Sequence, residues 1–262
     1  MKLLKQLTIA FCLSCLLFLT NTPSNALADD IFPTLSGAAL QKNIADEYTP
    51  DQTLGYRRGR DILYTVIDNQ DGFVTGIYTG FALEVDPDSN SPRQDAYQGG
   101  RGINAEHIYP QSKGATGKAK SDLHSLFASR AVVNSARSNY PFAEINDSLT
   151  RKWFVDDQTL TTIPTTFIDD YSESINSRFE PRENKKGDVA RAMFYFYTIY
   201  RFKADEEDPD FFPLQQETLC EWNVADPIDE QELERSHLIA DFQGNENPFV
   251  IDPTLADRAY CS

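Results

Sequence analysis

Apolar and polar positions along this chain alternate between helical and strand spacing, and the two patterns interleave without a long break. Residues 39–45 carry a short helical pattern, and Ile62, Leu63, Val66 and Ile67 predict a longer helix over 55–67. Residues 72–78 read as a strand with Phe73 and Ile77 on one face and Val74 and Tyr78 on the other. The Asp, Ser, Pro, Gln and Gly of 86–102 predict a loop. A strand follows over 103–109, ended by Pro110. Residues 112–121, rich in Gly, Lys and Ser, read as an exposed loop, and 123–127 as a second strand. Residues 131–138 begin a helix that Pro141 does not let continue. The widest apolar face lies over 187–203, where Val189, Ala190, Met193, Phe194, Phe196, Tyr197 and Tyr200 predict a central core helix with Asp188 in its first turn. Another helix over 231–242 closes at Gly244. No repeat, low-complexity block or linker divides the pattern. The expected class is α+β, a single mixed domain with more helix than strand.

The first 28 residues follow a different plan. Lys2 and Lys5 precede an apolar run from Leu7 to about Leu19, and Ala26-Leu27-Ala28 closes the segment. That order predicts a secretory signal peptide cleaved after Ala28, leaving a mature domain over 29–262. The apolar run is shorter than the ~20 residues that span a bilayer. The mature form is therefore expected to be secreted or periplasmic, without a membrane segment, and is taken as a monomer. Cys12 and Cys15 leave with the signal, and Cys220 and Cys261 remain as an even pair, which an oxidising compartment joins. With no CxxC and no close Cys/His cluster in the mature chain, a zinc site is not expected.

Loss of Lys2 and Lys5 takes the net charge from −16 to −18. So acidic a chain does not coat nucleic acid, because phosphate binding rests on Lys and Arg. The charge is uneven, however. Between Arg101 and Arg137 stand Lys113, Lys118, Lys120 and Arg130, against only Glu106 and Asp122. The acid excess sits in 205–210 and 226–234. A local basic groove and a solvated loop explain this equally well.

Three histidines remain: His107, His124 and His237. His107 follows Glu106 at the end of an expected strand, an unusual place for two polar groups. Neighbouring side chains alternate faces, so a bend or strand end must turn the two together if they serve one site. Phosphodiester hydrolysis needs a base near neutrality, which imidazole supplies. It also needs a divalent cation to offset phosphate charge. Mg²⁺ asks for only one or two hard oxygen ligands from protein, with Mn²⁺ or Ca²⁺ as alternatives. Glu106 and Asn134, the latter near the start of a helix, fit that need. Strand, loop, strand and helix, with His on the first strand and Asn on the helix, is the plan of a ββα-metal nuclease motif. Asp122 and His124 are candidates for fixing the loop or orienting a ligand. His237, inside a helix, reads as structural.

Four stretches carry a resemblance to a known family: EHIYPQS (106–112), SDLHSLFASRAVVNSARSNYPF (121–142), FEPRENKKGDVARAMFYF (179–196) and QGNENPFVIDP (243–253). The chain resembles the endonuclease I family of periplasmic and extracellular bacterial nucleases. The resemblance implies a ββα-metal (His-Me finger) fold and largely sequence-independent cleavage of DNA, with RNA as a further substrate. It also implies His107 as general base, with Glu106 and Asn134 as ligands of one metal ion. Arg137, Arg101 and Lys120 are candidates for contact with phosphate, and Arg137 alternatively for holding the helix. The chain departs from the family in its strong acidity and its single pair of mature cysteines. Lys113, Lys118 and Lys120 occupy a loop where some members carry an arginine. A non-catalytic binder and a phosphodiesterase for small substrates are the alternatives. The first would lack a base or ligand, and none is missing.

Overall fold

The computed structural model describes residues 30–261. The expected signal peptide and its cleavage point lie outside the described residues. The chain opens with α1 (Gly37–Tyr48) and α2 (Tyr56–Ile62), the latter continuing through a wider π-type turn over Leu63–Ile67. Strands β1 (Asn69–Gln70), β2 (Phe73–Thr75) and β3 (Ala82–Glu84) form a small antiparallel sheet. The expected strand over 72–78 therefore stops at Thr75. The next residues turn back, and the amide of Ile77 donates to the Ala128 carbonyl at 2.9 Å. The expected loop over 86–102 contains α3 (Pro92–Tyr97), which starts on a proline already set at a helical φ.

Then come β4 (Ile103–His107), β5 (Leu126–Arg130) and α4 (Ala131–Arg137). Strands β4 and β5 pair antiparallel, with Glu106 opposite Phe127 and His107 opposite Leu126. The connection between them is exposed at Ser112 and over 116–118, as expected from its composition, but not throughout. Ala115 and Ala119 are buried in it, because short side chains let its turns pack on the core. A four-stranded antiparallel sheet follows, made of β6 (Lys152–Val155), β7 (Gln158–Leu160), β8 (Ser172–Ile175) and β9 (Arg178–Glu180).

The rest is helical. Helix α5 (Lys186–Ile199) is buried on all sides from Lys186 to Thr198, as its width of apolar residues predicts. It stops earlier than expected, at Tyr200, and α6 (Arg201–Glu207) continues at an angle. Helix α7 (Gln216–Ala225) lies against α5. The approach is so close at Gly187 that any Cβ there would sit 2.0 Å from the Asp226 carbonyl oxygen. Helix α8 (Glu230–Gln243) starts on an Asp229 cap and ends on Gly244 at φ 82°. Helix α9 (Pro248–Ile251) precedes a final π-type turn. The Cys220 and Cys261 sulfurs are bonded to each other, as expected from their parity.

At the start of α5, Lys186 holds Glu144, Glu180 and Glu183 at 2.7–2.8 Å. Three carboxylates around one ammonium leave excess negative charge. Burial of Glu180, aided by Glu144, pushes its carboxyl up to about 8. Between the ordinary carboxylate range and about 8, the folded protein keeps a proton that the unfolded chain has lost. This group's contribution to stability therefore falls as pH rises through that window. Glu180→Gln is neutral throughout. The Tm of the variant is expected to gain on that of the parent between about pH 5 and pH 9, checked by thermal melts. A constant difference would rule the account out.

Candidate active site

Two strands and a helix build the site. Pairing of β4 with β5 continues through His107, so the expected bend is absent and Glu106 and His107 leave opposite faces of the strand end. Asn104 shares the Glu106 face. It accepts a hydrogen bond from Asn134 Nδ2 at 2.9 Å, and the Ala105 carbonyl accepts another from the same nitrogen at 3.1 Å. Both donors of the Asn134 amide are thus aimed at β4, one peptide away from Glu106. The Asn134 Oδ1 accepts no hydrogen bond among the described residues.

Glu106 is 2% exposed. Its Oε1 accepts from the Tyr78 hydroxyl at 2.8 Å and lies 3.3 Å from Arg137 Nε, although that N–H does not point at it. Burial pushes the Glu106 carboxyl up to about 7, against the opposing pull of Arg137 and Tyr78. Oε2 has no hydrogen-bond partner among the described residues and is not sealed from solvent. The structure therefore leaves one carboxylate oxygen and one amide oxygen without partners beside the same strand. Both are hard donors, the type that Mg²⁺ takes.

His107 has different neighbours. Its Nε2 faces the Lys120 carbonyl oxygen at 3.0 Å, a bond that only a protonated Nε2 can make. That tautomer makes Nδ1 the acceptor, and the Gln111 side-chain amide donates to it at 3.3 Å. Burial pushes the imidazole down to about 4, and the charges of Lys120, Arg137 and Arg60 push the same way. At neutral pH the ring is uncharged, with Nδ1 as its acceptor nitrogen.

Arg137 is fully buried. It donates to the Ile108 carbonyl at 2.6 Å and the Ser138 carbonyl at 3.1 Å, and its guanidinium lies 4.6 Å from the Phe142 ring centre. It ties the end of α4 to β4, the second of its two expected roles, and presents no surface to a phosphate. Arg101 is exposed beyond the opposite end of β4, about 15–20 Å from His107 at the ordinary strand rise. Lys120 stays at the site, with its carbonyl on His107.

Asp122 and His124 lie beneath the site. The buried Asp122 accepts four hydrogen bonds. The Tyr195 and Tyr200 hydroxyls donate at 2.8 and 2.7 Å, Gln243 at 2.9 Å and the His124 amide at 3.0 Å. His124 Nε2 meets the Asn245 carbonyl at 3.0 Å, and burial lowers its pKa, so it is neutral. Asn245 in turn donates to the Tyr195 hydroxyl and the Tyr48 carbonyl, each at 2.8 Å. This network fastens the β4–β5 connection, two residues past Lys120, to α5 and to the end of α8. It also gives 243–247 a purpose that spacing alone did not reveal. Tyr78, Gln111 and Tyr56 are further contacts that sequence reasoning missed. Gln111 stands four residues after His107, which was a usable signal, whereas Tyr78 had none.

The sequence model of the family described as Endonuclease I matches residues 36–254. The chain belongs to the Endonuclease I family. Among family-type relatives, it is 31% identical over 173 residues to an extracellular ribonuclease of Bacillus subtilis (strain 168), covering 60% of this chain and 54% of that one. It is 30% identical over 135 residues to a periplasmic deoxyribonuclease of Aeromonas hydrophila, covering 51% and 48%. It is 28% identical over 131 residues to Endonuclease-1 of Buchnera aphidicola subsp. Acyrthosiphon pisum (strain APS), covering 50% and 44%. The chain spans about half the length of the curated relatives it matches. Helix α5 and the 243–247 turn, which hold the Asp122 network, fall inside the matched Endonuclease I region.

Proposed function

We propose that this chain is a secreted endonuclease that hydrolyses the phosphodiester bonds of DNA, and of RNA as a second substrate, with little sequence specificity. His107 is the general base, and Glu106 Oε2 and Asn134 Oδ1 hold one Mg²⁺-type ion. The observation that carries this reading is the His107 ring itself. It is fixed in one tautomer by the Lys120 carbonyl and placed one residue from a carboxylate with an unpartnered oxygen. Family membership and the names of the relatives, extracellular and periplasmic nucleases of both DNA and RNA, support it.

The division of groups across the strand end suits an in-line displacement. Attacking and leaving oxygens lie on opposite sides of phosphorus. His107 Nδ1 takes the proton of a water on one side. When bound, the cation supplies charge neutralisation for the phosphate and the leaving oxygen on the other. Arg137 and Tyr78 hold the Glu106 carboxylate in place through Oε1, which keeps Oε2 turned outward. Asn104 and the Ala105 carbonyl fix the Asn134 amide so that its oxygen faces away from the strand. Gln111 marks the position of the attacking water, being the group now nearest Nδ1.

Purified chain is expected to nick supercoiled plasmid in Mg²⁺ or Mn²⁺ and to lose that activity in EDTA. Glu106→Ala and Asn134→Ala should each raise the Mg²⁺ concentration needed for half-maximal rate. Undiminished cleavage in EDTA would sink the metal assignment. Hydrolysis of a bis-phenyl phosphate ester without cleavage of plasmid would favour a small-substrate phosphodiesterase instead.

A further inference from the structure

We propose that Arg60 and Lys120, both seated over the ring of Tyr56, form a phosphate subsite next to His107. This rests on the endonuclease reading above and names where the substrate backbone is held. The Tyr56 ring centre lies 5.4 Å from that of His107. The Arg60 guanidinium carbon is 4.1 Å from the Tyr56 centre, and Lys120 Nζ is 4.5 Å from it. An aromatic face attracts cations and restricts their movement without neutralising them.

Ion pairing separates these two cations from three others around the site. Lys113 is tied to Asp208 at 2.6 Å, Arg93 to Asp61 at 2.6 Å, and Arg137 lies against Glu106 at 3.3 Å. Arg60 and Lys120 form no ion pair among the described residues. Arg60 spends only its Nε, on the Tyr56 carbonyl at 3.3 Å. Its two terminal nitrogens, and the Lys120 ammonium, make no hydrogen bond among the described residues. Two like charges gathered on one ring repel each other, and a shared anion relieves that repulsion. The chain is acidic overall, with a net charge of −16, yet no carboxylate pairs with either cation among the described residues. The planar guanidinium offers a phosphate two parallel N–H groups, and the ammonium adds a point charge. Held so near His107, these groups would seat a backbone phosphate where Nδ1 can reach its attacking water.

The subsite makes a prediction that a purely structural role does not share. Binding of a fluorescent DNA duplex is measured in EDTA, which prevents cleavage, between about 50 and 200 mM salt. Arg60→Gln and Lys120→Gln are each expected to lower the steepness with which log affinity falls against log salt by about 0.9. The double variant should lower it by about twice as much. In Mg²⁺ each single variant should raise KM more than it lowers kcat. Inorganic phosphate should compete with DNA on the parent and less on the double variant. Should Arg60→Gln fail to fold, Arg60→Lys and Lys120→Gln carry the test: lysine at 60 keeps the slope, and Gln at 120 lowers it. Plasmid cleavage by the parent with salt slopes unchanged in folded variants overturns the subsite alone. No plasmid cleavage by the parent overturns the endonuclease reading on which it stands.

Discussion

Replacing His107 by alanine is expected to slow plasmid cleavage by about 10²–10⁴-fold while DNA binding persists. That range corresponds to about 3–5 kcal/mol of barrier. The ring is buried, and its Nε2–H satisfies the Lys120 carbonyl, so truncation also leaves that carbonyl without a partner. The cost in stability is about 1–3 kcal/mol, which lowers Tm by several degrees but leaves the fold standing. Loss of rate and loss of fold are separated by two measurements. Circular dichroism reports the fold, and added free imidazole, entering the space the ring vacated, should restore part of the rate. Near-parental turnover in the alanine variant would remove His107 from the mechanism. A variant that binds DNA, does not cut, and regains activity with imidazole would secure it as the base.

The second large effect belongs to a residue that touches no substrate. Asp122→Ala removes the acceptor of four hydrogen bonds inside the core and strands two tyrosine hydroxyls, an amide side chain and a backbone N–H. Each buried donor left alone costs about 1–3 kcal/mol, so the total is on the order of 5 kcal/mol after relaxation. Tm should fall by on the order of 10 °C in a domain of this size. Activity should fall as well, even below the new Tm. Asp122 anchors the connection whose Lys120 carbonyl sets the His107 tautomer, two residues away. Asp122→Asn keeps the acceptor geometry at one oxygen and is expected to lie between parent and alanine variant in both measures. If the alanine variant melted within a degree or two of the parent, the network would not be the support described above.

Much of the candidate site was legible because its residues break the patterns around them. Glu106 and His107 are adjacent polar groups at the end of a strand, Pro110 follows shortly after it, and Asn134 lies in a short helix directly after a second strand. What could not be read were contacts made by backbone or by distant chain. The Lys120 carbonyl on His107 is a main-chain group and carries no residue identity. Tyr78 meets Glu106 from 28 residues away, and nothing in its local spacing announces that. The face alternation rule was sound: β4 pairs regularly through His107, so Glu106 and His107 leave opposite faces and no bend within the strand turns them together. In the fold, the helical periods over 187–203 and 231–242 were reliable, apart from the break at Tyr200. Polar composition misled at α3 and at the connection holding Ala115 and Ala119, because a short helix and small buried side chains leave little hydrophobic signal. Tyr200 looked like one more core position of a helix. Its hydroxyl is drawn to Asp122, and α5 ends there.

The two ends of the folded chain share one fastening. Arg258 donates to the carbonyls of Ile31 and Phe32 and to Asp252, while the Ile31 amide donates to Asp252 as well. The Cys220–Cys261 bond pins the neighbouring tail to α7. The disulfide and the Arg258 contacts thereby hold residues 31–32, the 252–261 segment and α7 together. Opened by a reductant, that bond would release Cys261 from α7, and the Arg258 contacts alone would then hold the tail against Ile31 and Phe32.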